Sequence, residues 1–501
     1  MALPKSLPRI CIALGCKDPD ELLQQARSQA EAGESFLEFR LDYLRDPARG
    51  PAVIADFLRD QPGCQVLATC RRRQNQGRFN GSVEEQIRVL EAASRAGAAL
   101  LDLEIESAEA CQAACTCLRA ASWLMVSYHN FETAPPLDAL VRRLLRCSAD
   151  AYKIAVTARK PSDIGRLLAL PKSFGRTPLV VLAMGEIGFP SRILAPLHGG
   201  WFTYAASSNA VGTAPGQVSG HTLRHLYRFP KLSRQSKVYG VIADPIGHSI
   251  SPAVHNRAFQ ARRIDAVYLP FRVPSLYLRD FMTLAAGVPI AGFSVTIPHK
   301  QRILRYLDAV DPLARRIGAV NTVWRKAGRW RGTNTDAEAV TSPLARRLKL
   351  AKASILIAGN GGAARSAAFA LAEAGARIAI TGRNPDRVRA LARACGAEAL
   401  RREDLASRSF DALVHATPLG MAPRVEECFF EDRIPAEVVF DMVYNPLETL
   451  LLRRAREQGK TVIAGLEMFL EQAAQQFEIW TGQSAPRAVM ERAARDALGL
   501  F

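Results

Sequence analysis

No stretch of this 501-residue sequence is long and apolar enough for a transmembrane helix. The opening "MALPKSLPRICIALG" lacks a secretory layout, because its apolar part is short and runs into a strand pattern. A cytoplasmic protein is the expectation. Ten cysteines are present, but none forms a CxxC pair. The tightest group, Cys111, Cys115 and Cys117 in "AEACQAACTCLRAA", has no histidine nearby to complete a metal site. His221 and His225 lie one helical turn apart, without the glutamate of a zinc-protease helix. No metal is expected. Acidic residues are in deficit, 48 against 66 basic, for a net charge of +18. The arginines are nonetheless spread along the chain. There is no basic tail, zinc finger or aromatic-basic repeat, so no nucleic-acid partner is expected. Small anionic substrates account for the charge equally well.

What is present is length enough for two or three domains and, from residue 9 to about 229, a regular alternation. Eight short apolar strands, "RICIALG", "SFLEFRLDYL", "CQVLATCR", "ALLDLEIE", "SWLMVSYHN", "AYKIAVTA", "PLVVLAMG" and "WFTYAAS", are separated by amphipathic helices. One of these, "SVEEQIRVLEAASRAG", opens with Ser82 as N-cap and closes on Gly97. Eight such units predict a parallel (β/α)₈ barrel, whose chemistry sits at the C-terminal strand ends. Polar residues collect there. Glu38 and Arg40 share a strand face, Arg71 ends the third strand and His129 the fifth. Lys153 lies within the sixth, Arg192 follows the seventh, and Thr213 and Gln217 lie in the loop after the eighth.

A lysine buried beside Arg40, Arg71 and Arg192 is expected to have a lowered pKa, through desolvation and like charge. Its neutral amine forms a Schiff base with a ketone. His129 then serves as general base and acid, and the arginines hold an anion. The motifs "FLEFRLD", "VSYHN", "YKIAVTA", "MGEIGFPSRIL" and "TAPGQ" resemble type I 3-dehydroquinate dehydratase across the whole first half. The resemblance implies that Lys153 forms an imine with the C3 ketone of dehydroquinate. It implies that His129 takes a proton from C2 and that water leaves from C1. Glu38, Arg40, Arg71, Arg192, Thr213 and Gln217 fall on substrate-binding positions. Thr213 stands where a serine is usual. The loop "RRRQNQGRFNG" lacks the acidic residue and glycine pair that often follow the third-strand arginine.

"FPKLSRQSK" reads as a linker, with 230–236 between a barrel of 1–229 and a new strand, "VYGVIAD". Further on, "ASILIAGNGGAARSAAFALAEAGA" is a strand, a glycine-rich turn and a helix, with Gly359, Gly361 and Gly362 placed for a pyrophosphate at a helix N-terminus. The next strand, "RIAITGRN", ends in Thr381, Arg383 and Asn384, then Arg387, where an NAD enzyme usually has an acid. Arginine suits a 2′-phosphate, so NADP is the expected cofactor.

The flanking "ADPIGHSISPAVHN", "GFSVTIPHK", "GAVNTV", "GTNTDAEA", "HATPLGM", "DMVYNPLET" and "GLEMFLEQAAQQFEIWTG" resemble shikimate dehydrogenase. That resemblance implies a catalytic pair, Lys300 and Asp336. It implies substrate contacts from Ser249, Ser251, Thr296, Asn321, Tyr444 and Gln472. Cofactor contacts would come from Gly359, Asn360, Gly361, Gly362, Ala363, Thr381, Arg383, Asn384, Thr417, Met421 and Gly465. Ser294 resembles the plant form. The implied substrate domain is 237–340 with 465–501, and a Rossmann domain spans 341–464. The first reaction's product, 3-dehydroshikimate, is the second's substrate. Two other readings are an altered pathway repressor and a quinate specificity in the second half. The expected partners are therefore small molecules, and the sequence leaves the oligomeric state open.

Overall fold

The computed structural model describes residues 7–208, 213, 216–247, 249–430 and 433–499. Ala214, Pro215 and His248, which belong to motifs quoted above, lie outside them. The chain divides into two compact units, Met1–Ser236 with Pro270–Pro289, and Lys237–Leu269 with Ile290–Phe501.

The first unit is built on eight strands: β1 (Ile10–Leu14), β2 (Phe36–Arg40), β3 (Gln65–Thr69), β4 (Leu100–Glu104), β5 (Trp123–Asn130), β6 (Ala151–Thr157), β7 (Leu179–Met184) and β8 (Thr203–Ala206). All seven ladders of the order β7-β6-β5-β4-β3-β2-β1-β8 are parallel. At the remaining junction, Trp201 N donates to Leu179 O at 2.8 Å. This is the expected (β/α)₈ barrel. Its strands are mostly apolar because helices cover their outer face while side chains fill the inside. The alternation of faces sorts the interior into layers. Cys11, Phe36, Leu67, Leu100, Met125, Ala151, Val180 and Phe202 form an apolar floor. Two residues further along their strands come Glu38, Thr69, Asp102, Ser127, Lys153 and Tyr204, all buried.

The expected Ser82 cap is part of a capping box with Glu85. The stretch "AEACQAACTCLRAA" is two helices, Ile105–Ala110 and Gln112–Ala121, because Cys111 leaves the helical region at φ −141° and ψ 75°. Phe229 and Leu232 at the start of the expected linker are buried. Arg9 ties them down, stacking on Phe229 and donating to Leu232 O at 2.8 Å. The segment Pro270–Pro289 also packs in this unit, where Asp280 accepts from Ser162 Oγ at 2.7 Å.

The second unit has two sheets. One contains β9 (Lys237–Ala243), β10 (Ala266–Arg272), β11 (Ile290–Val295), β12 (Ala309–Val310), β13 (Thr322–Lys326) and β14 (Arg329–Thr333), in the order β10-β9-β11-β13-β14-β12. The helix Gly465–Thr481 covers it, burying Phe469, Phe477 and Trp480 against Tyr239 and Phe259. The other contains β15 (Ser354–Ala358), β16 (Arg377–Thr381), β17 (Glu398–Ala399), β18 (Phe410–His415), β19 (Ala436–Asp441) and β20 (Thr461–Ile463). It is parallel, in the order β17-β16-β15-β18-β19-β20. That order switches beside β15, at the turn before the helix Gly362–Glu373, which makes it a Rossmann sheet with its crevice at the glycines. Among the described residues, no helix is long and apolar enough to cross a membrane.

The loop after β3 folds back on itself: Phe79 N donates to Arg71 O at 3.0 Å and Arg73 N to Phe79 O at 2.8 Å. Gly77 lies so close that a Cβ there would sit 2.0 Å from Arg71 O. Gly77→Ala must therefore displace the backbone that carries Arg71. The expected result is a loss of about 1–3 kcal/mol from the barrel, read as a lowered denaturant midpoint with unchanged slope.

Candidate active sites

Eight residues singled out in the first half, Glu38, Arg40, Arg71, His129, Lys153, Arg192, Thr213 and Gln217, line one cavity of the barrel. Lys153 is only 4% exposed. Its Nζ donates to Asp102 Oδ2 at 3.0 Å and to Tyr204 Oη at 2.9 Å. Asp102 also accepts from Arg71 Nη2 at 3.2 Å and Ser127 Oγ at 2.5 Å. Burial pushes the Asp102 carboxyl up, but Lys153, Arg71 and Ser127 together hold it below the usual carboxylate range. Burial lowers the Lys153 ammonium; Asp102 and Glu38 oppose that, and Arg71 adds to it. The expected fall in pKa is thus observed with a different balance of causes. Desolvation leads, and of the three arginines only Arg71 is among the leading contributors.

His129 is pulled well below its ordinary value by burial, then by Arg71, Lys153 and Arg40. Its buried Nδ1 has no hydrogen-bond partner among the described residues. These surroundings favour its neutral form. Arg40 is held bidentately by Asp42 at 2.9 and 2.8 Å. Glu38 accepts from Thr69 Oγ1 at 2.7 Å. The fully buried Arg192 guanidinium is pulled down to about 10 by desolvation. Thr213 N donates to Gln217 Oε1 at 2.7 Å, which fixes the end of the last loop. In the atypical loop, Asn75 reaches Glu106 Oε2 at 2.7 Å.

In the second unit Lys300 Nζ donates to Asp336 Oδ2 at 2.6 Å. Asn321 Nδ2 holds the other oxygen at 2.8 Å and reaches Gln472 Oε1 at 3.4 Å. Gln476 Nε2 then donates to Gln472 Oε1 and Thr322 Oγ1, both at 3.1 Å. Its oxygen accepts from Ser294 at 2.8 Å, and Ser294 from Tyr268 at 2.7 Å. The Tyr268 hydroxyl also hydrogen-bonds Ser251, whose N donates to Ser249 Oγ at 3.4 Å. Lys300, Asp336, Asn321, Gln472, Ser251 and Ser249 thus belong to one polar network. Thr296 and Tyr444 take no part in its side-chain hydrogen bonds among the described residues. The Thr296 carbonyl caps the turn toward Lys300, accepting from His299 N at 2.8 Å. Tyr444 packs on Phe469 with ring centroids 5.0 Å apart.

The nucleotide candidates gather at the crevice. Gly359 has φ +137°, and a Cβ there would lie 2.8 Å from Ala416 O. Gly361 caps the helix Gly362–Glu373 with open space around its Cα. Gly362, beside Ala363, faces the Lys300 stem. Asn360 donates to Asn384 O at 3.4 Å, and Asn384 caps the next helix. Thr381 Oγ1 is buried without a partner among the described residues, while Arg383 is exposed just beyond. Thr417 Oγ1 and His415 Nε2 lie 2.5 Å apart, and Asp441 holds the other ring nitrogen at 2.9 Å. Met421 is 42% exposed. Gly465 opens its helix against Val443 O, which a Cβ would meet at 2.4 Å. Loose backbone approach, an orphaned hydroxyl and a basic strand end without an acid all fit a dinucleotide with a 2′-phosphate. Among the described residues no group of three or more His, Cys, Asp or Glu is placed to hold a metal.

Sequence reasoning missed Asp102, Ser127, Tyr204, Tyr268 and Gln476. The acid pair in "ALLDLEIE" was the available signal for Asp102, since a carboxylate inside an apolar barrel strand needs a cation. Tyr204, on the eighth strand of an otherwise apolar pattern, carried a weaker one.

The class these features define is an α/β chain with two centres, a lysine-bearing barrel and a Rossmann dehydrogenase unit. Comparison agrees for each part. The type I 3-dehydroquinase family matches residues 10–234. The shikimate dehydrogenase substrate binding domain matches 241–323, shikimate / quinate 5-dehydrogenase 343–433, and the shikimate 5′-dehydrogenase C-terminal domain 465–495. A chloroplastic bifunctional 3-dehydroquinate dehydratase/shikimate dehydrogenase of Arabidopsis thaliana is 35% identical, over 95% of this chain and 83% of that protein. A shikimate dehydrogenase (NADP(+)) of Oleidesulfovibrio alaskensis is 40% identical, over 54% of this chain and 98% of its own length. A crystal structure of shikimate dehydrogenase with NADP+ has 35% identity and a TM-score of 0.50, covering 53% of this chain and 97% of that one. One from Aquifex aeolicus has 32% identity and a TM-score of 0.50, over 53% and 100%. The chain belongs to the family of bifunctional 3-dehydroquinate dehydratase/shikimate dehydrogenases.

His255 packs under the second network, stacked on Tyr268 at 4.5 Å and near Trp480 at 5.1 Å. Burial pulls its imidazole down to about 3. The unfolded chain, with an ordinary value near 6.5, therefore binds the proton first. Stability carried by neutral His255 is full above pH about 6.5 and is lost as pH falls toward 3. His255→Phe should flatten the acid side of the second unit's stability curve by up to about 1.4 kcal/mol per pH unit, measured by urea unfolding between pH 7 and 4. Parallel slopes for both proteins contradict this.

Proposed function

We propose that the barrel dehydrates 3-dehydroquinate to 3-dehydroshikimate through a Lys153 imine, and that the second unit reduces that product to shikimate with NADPH. The protein is a lyase and an oxidoreductase on one chain. The observation that carries the first reaction is a buried, pKa-lowered Lys153 in one cavity with a neutral His129 and with Arg71 and Arg192. The neutral amine attacks the C3 ketone, and loss of water gives the imine. The imine nitrogen draws electrons from C2, so neutral His129 takes the C2 proton. The same group, now protonated, returns a proton to the C1 hydroxyl as it leaves, and water then hydrolyses the product imine to free 3-dehydroshikimate and Lys153. Arg71 and Arg192 offer charge to the carboxylate, and Glu38, Arg40, Thr213 and Gln217 frame the ring hydroxyls.

In the second unit, bound NADPH supplies the hydride. Gly359, Asn360, Gly361, Gly362 and Ala363 would hold the pyrophosphate, and Thr381, Arg383 and Asn384 the 2′-phosphate end. Thr417, Met421 and Gly465 would flank the nicotinamide end. Lys300 supplies the proton to the forming hydroxyl, and Asp336, fixed by Asn321, keeps Lys300 aimed and takes part in its reprotonation. Ser249, Ser251, Thr296, Tyr444 and Gln472 hold the substrate. We place the functional boundaries at 1–229, 237–340 with 465–501, and 341–464, and the protein in the cytoplasm.

Two experiments test this. Borohydride added with dehydroquinate should inactivate the dehydratase and leave a reduced adduct on the peptide carrying Lys153. Lys153→Ala should lose about 10³-fold or more of dehydratase turnover. An adduct elsewhere, or surviving activity, rejects the role. Separately, Arg383→Ala should weaken NADPH by about 1.5–3 kcal/mol, the scale of a charge-assisted hydrogen bond, and leave NADH nearly unchanged. Equal losses for both cofactors show that Arg383 does not read the phosphate.

A further inference from the structure

Imine formation moves a proton from Nζ to the carbonyl oxygen, and among the described residues His129 makes no hydrogen bond to Nζ. When a neutral amine attacks a ketone, the Nζ–C3 bond forms and the carbonyl π bond breaks. The nitrogen then carries one proton too many and the oxygen one too few. A direct transfer between them is strained, since it closes a four-membered ring. A hydroxyl that touches both atoms relieves this by closing a six-membered one. Tyr204 is the group in contact with the nitrogen. Its Oη accepts from Lys153 Nζ at 2.9 Å, and its ring centroid lies 4.0 Å from the same atom. The side chain is 3% exposed and lines the cavity that holds His129 and Arg71. Because Tyr204 Oη receives its hydrogen bond from Nζ, the phenolic hydrogen is left to point at a substrate oxygen. Asp102, the other partner of Nζ, is unsuited: it is held ionised by Arg71 and Ser127 and has no proton to give.

We propose that Tyr204 is a catalytic residue of the barrel, the hydroxyl that relays a proton from Lys153 Nζ to the substrate oxygen as the carbinolamine forms. The Nζ–H bond breaks as Oη–H forms, and the original Oη–H breaks as O–H forms on the former carbonyl. Tyr204 ends as it began and no redox partner is needed. The phenol is pushed well above its ordinary value by burial and by Glu38, Cys11 and Asp102, so a free phenolate is disfavoured. The two transfers are therefore concerted, which a hydroxyl in contact with both atoms permits. The inference rests on the imine reading of Lys153.

Tyr204→Phe tests it, because the ring and its packing stay and only the hydroxyl goes. Borohydride quenching at timed intervals after mixing full-length enzyme with dehydroquinate reads the rate of adduct formation on Lys153. In Tyr204→Phe the adduct should still form, about 10²-fold more slowly, with little change in KM and an unchanged circular dichroism spectrum. The deficit should persist on the pH plateau. If a higher pH restores the full rate, Tyr204 only tunes Lys153 ionisation and the relay is overturned. Equal adduct rates in both proteins overturn the relay alone. No adduct on Lys153 in the wild type overturns the imine reading itself.

Discussion

The barrel site depends on one carboxylate. Asp102 lies inside a parallel barrel, where an unpaired charge costs several kcal/mol, and it is kept there by three partners at once: Lys153, Arg71 and Ser127. Removing Asp102 would leave Arg71 and Lys153 without their buried counter-charge. The arrangement also sets the direction in which Asp102 and Lys153 shift. Asp102 stays ionised, so Arg71 stays bound to it, and Lys153 sits between a carboxylate that favours its charge and a burial that opposes it. Burial wins. A lysine of ordinary pKa would be almost fully protonated at neutral pH and useless as a nucleophile. One held without a carboxylate would lose its fixed position.

The two centres use the same residue types under different constraints. Lys153 and Asp102 have side chains 5% and 0% exposed, Lys300 and Asp336 15% and 4%. The lysine proposed as the nucleophile is sealed in the barrel. The one proposed to hand over a proton sits at the edge of a crevice, with its stem against Gly362, where water can restore what it gives. Burial depth, more than residue identity, separates a covalent role from an acid–base one. The network beyond Asp336 serves orientation. Asn321 holds Asp336, Gln472 and Gln476 hold Asn321, and Ser294 and Tyr268 hold Gln476, so a substrate hydroxyl meets groups whose positions are already fixed.

Much of this was legible in the sequence, for a physical reason. Barrel strands repeat apolar residues at fixed intervals, and a parallel strand buried on both faces cannot hide that pattern. Lys153 and His129 stood out because a charge or an imidazole interrupts it. Asp102 escaped because its meaning depends on a partner 51 residues away, and spacing along the chain carries no information about a neighbour across a barrel. Tyr204 escaped for the opposite cause: an aromatic in a buried strand is ordinary packing until its hydroxyl is seen on Lys153. The segment Pro270–Pro289 falls within the substrate domain that the resemblance to shikimate dehydrogenase implies. Its contacts group it with the first compact unit, where Asp280 accepts from Ser162 and Leu284 of the helix Leu278–Gly287 lies beside Gly165. Sequence order fixes which element comes next, not which surface it covers.

The surplus of 18 positive charges suits the small anionic ligands of the proposed reactions. Many arginines are exposed and paired to acids on the surface, as Arg316 is to Glu373 and Arg408 to Glu398, and such pairs contribute little to stability. Those proposed to meet ligands are few: Arg71 and Arg192, buried in the barrel, and Arg383, exposed at the nucleotide crevice. Every ligand of the proposed reactions is an anion, from the carboxylates of dehydroquinate, dehydroshikimate and shikimate to the phosphates of NADPH. A surface of one prevailing sign raises the encounter rate of such ligands from all directions. A few desolvated guanidinium groups then convert encounter into orientation. Charge spread thinly along the chain fits that division of labour.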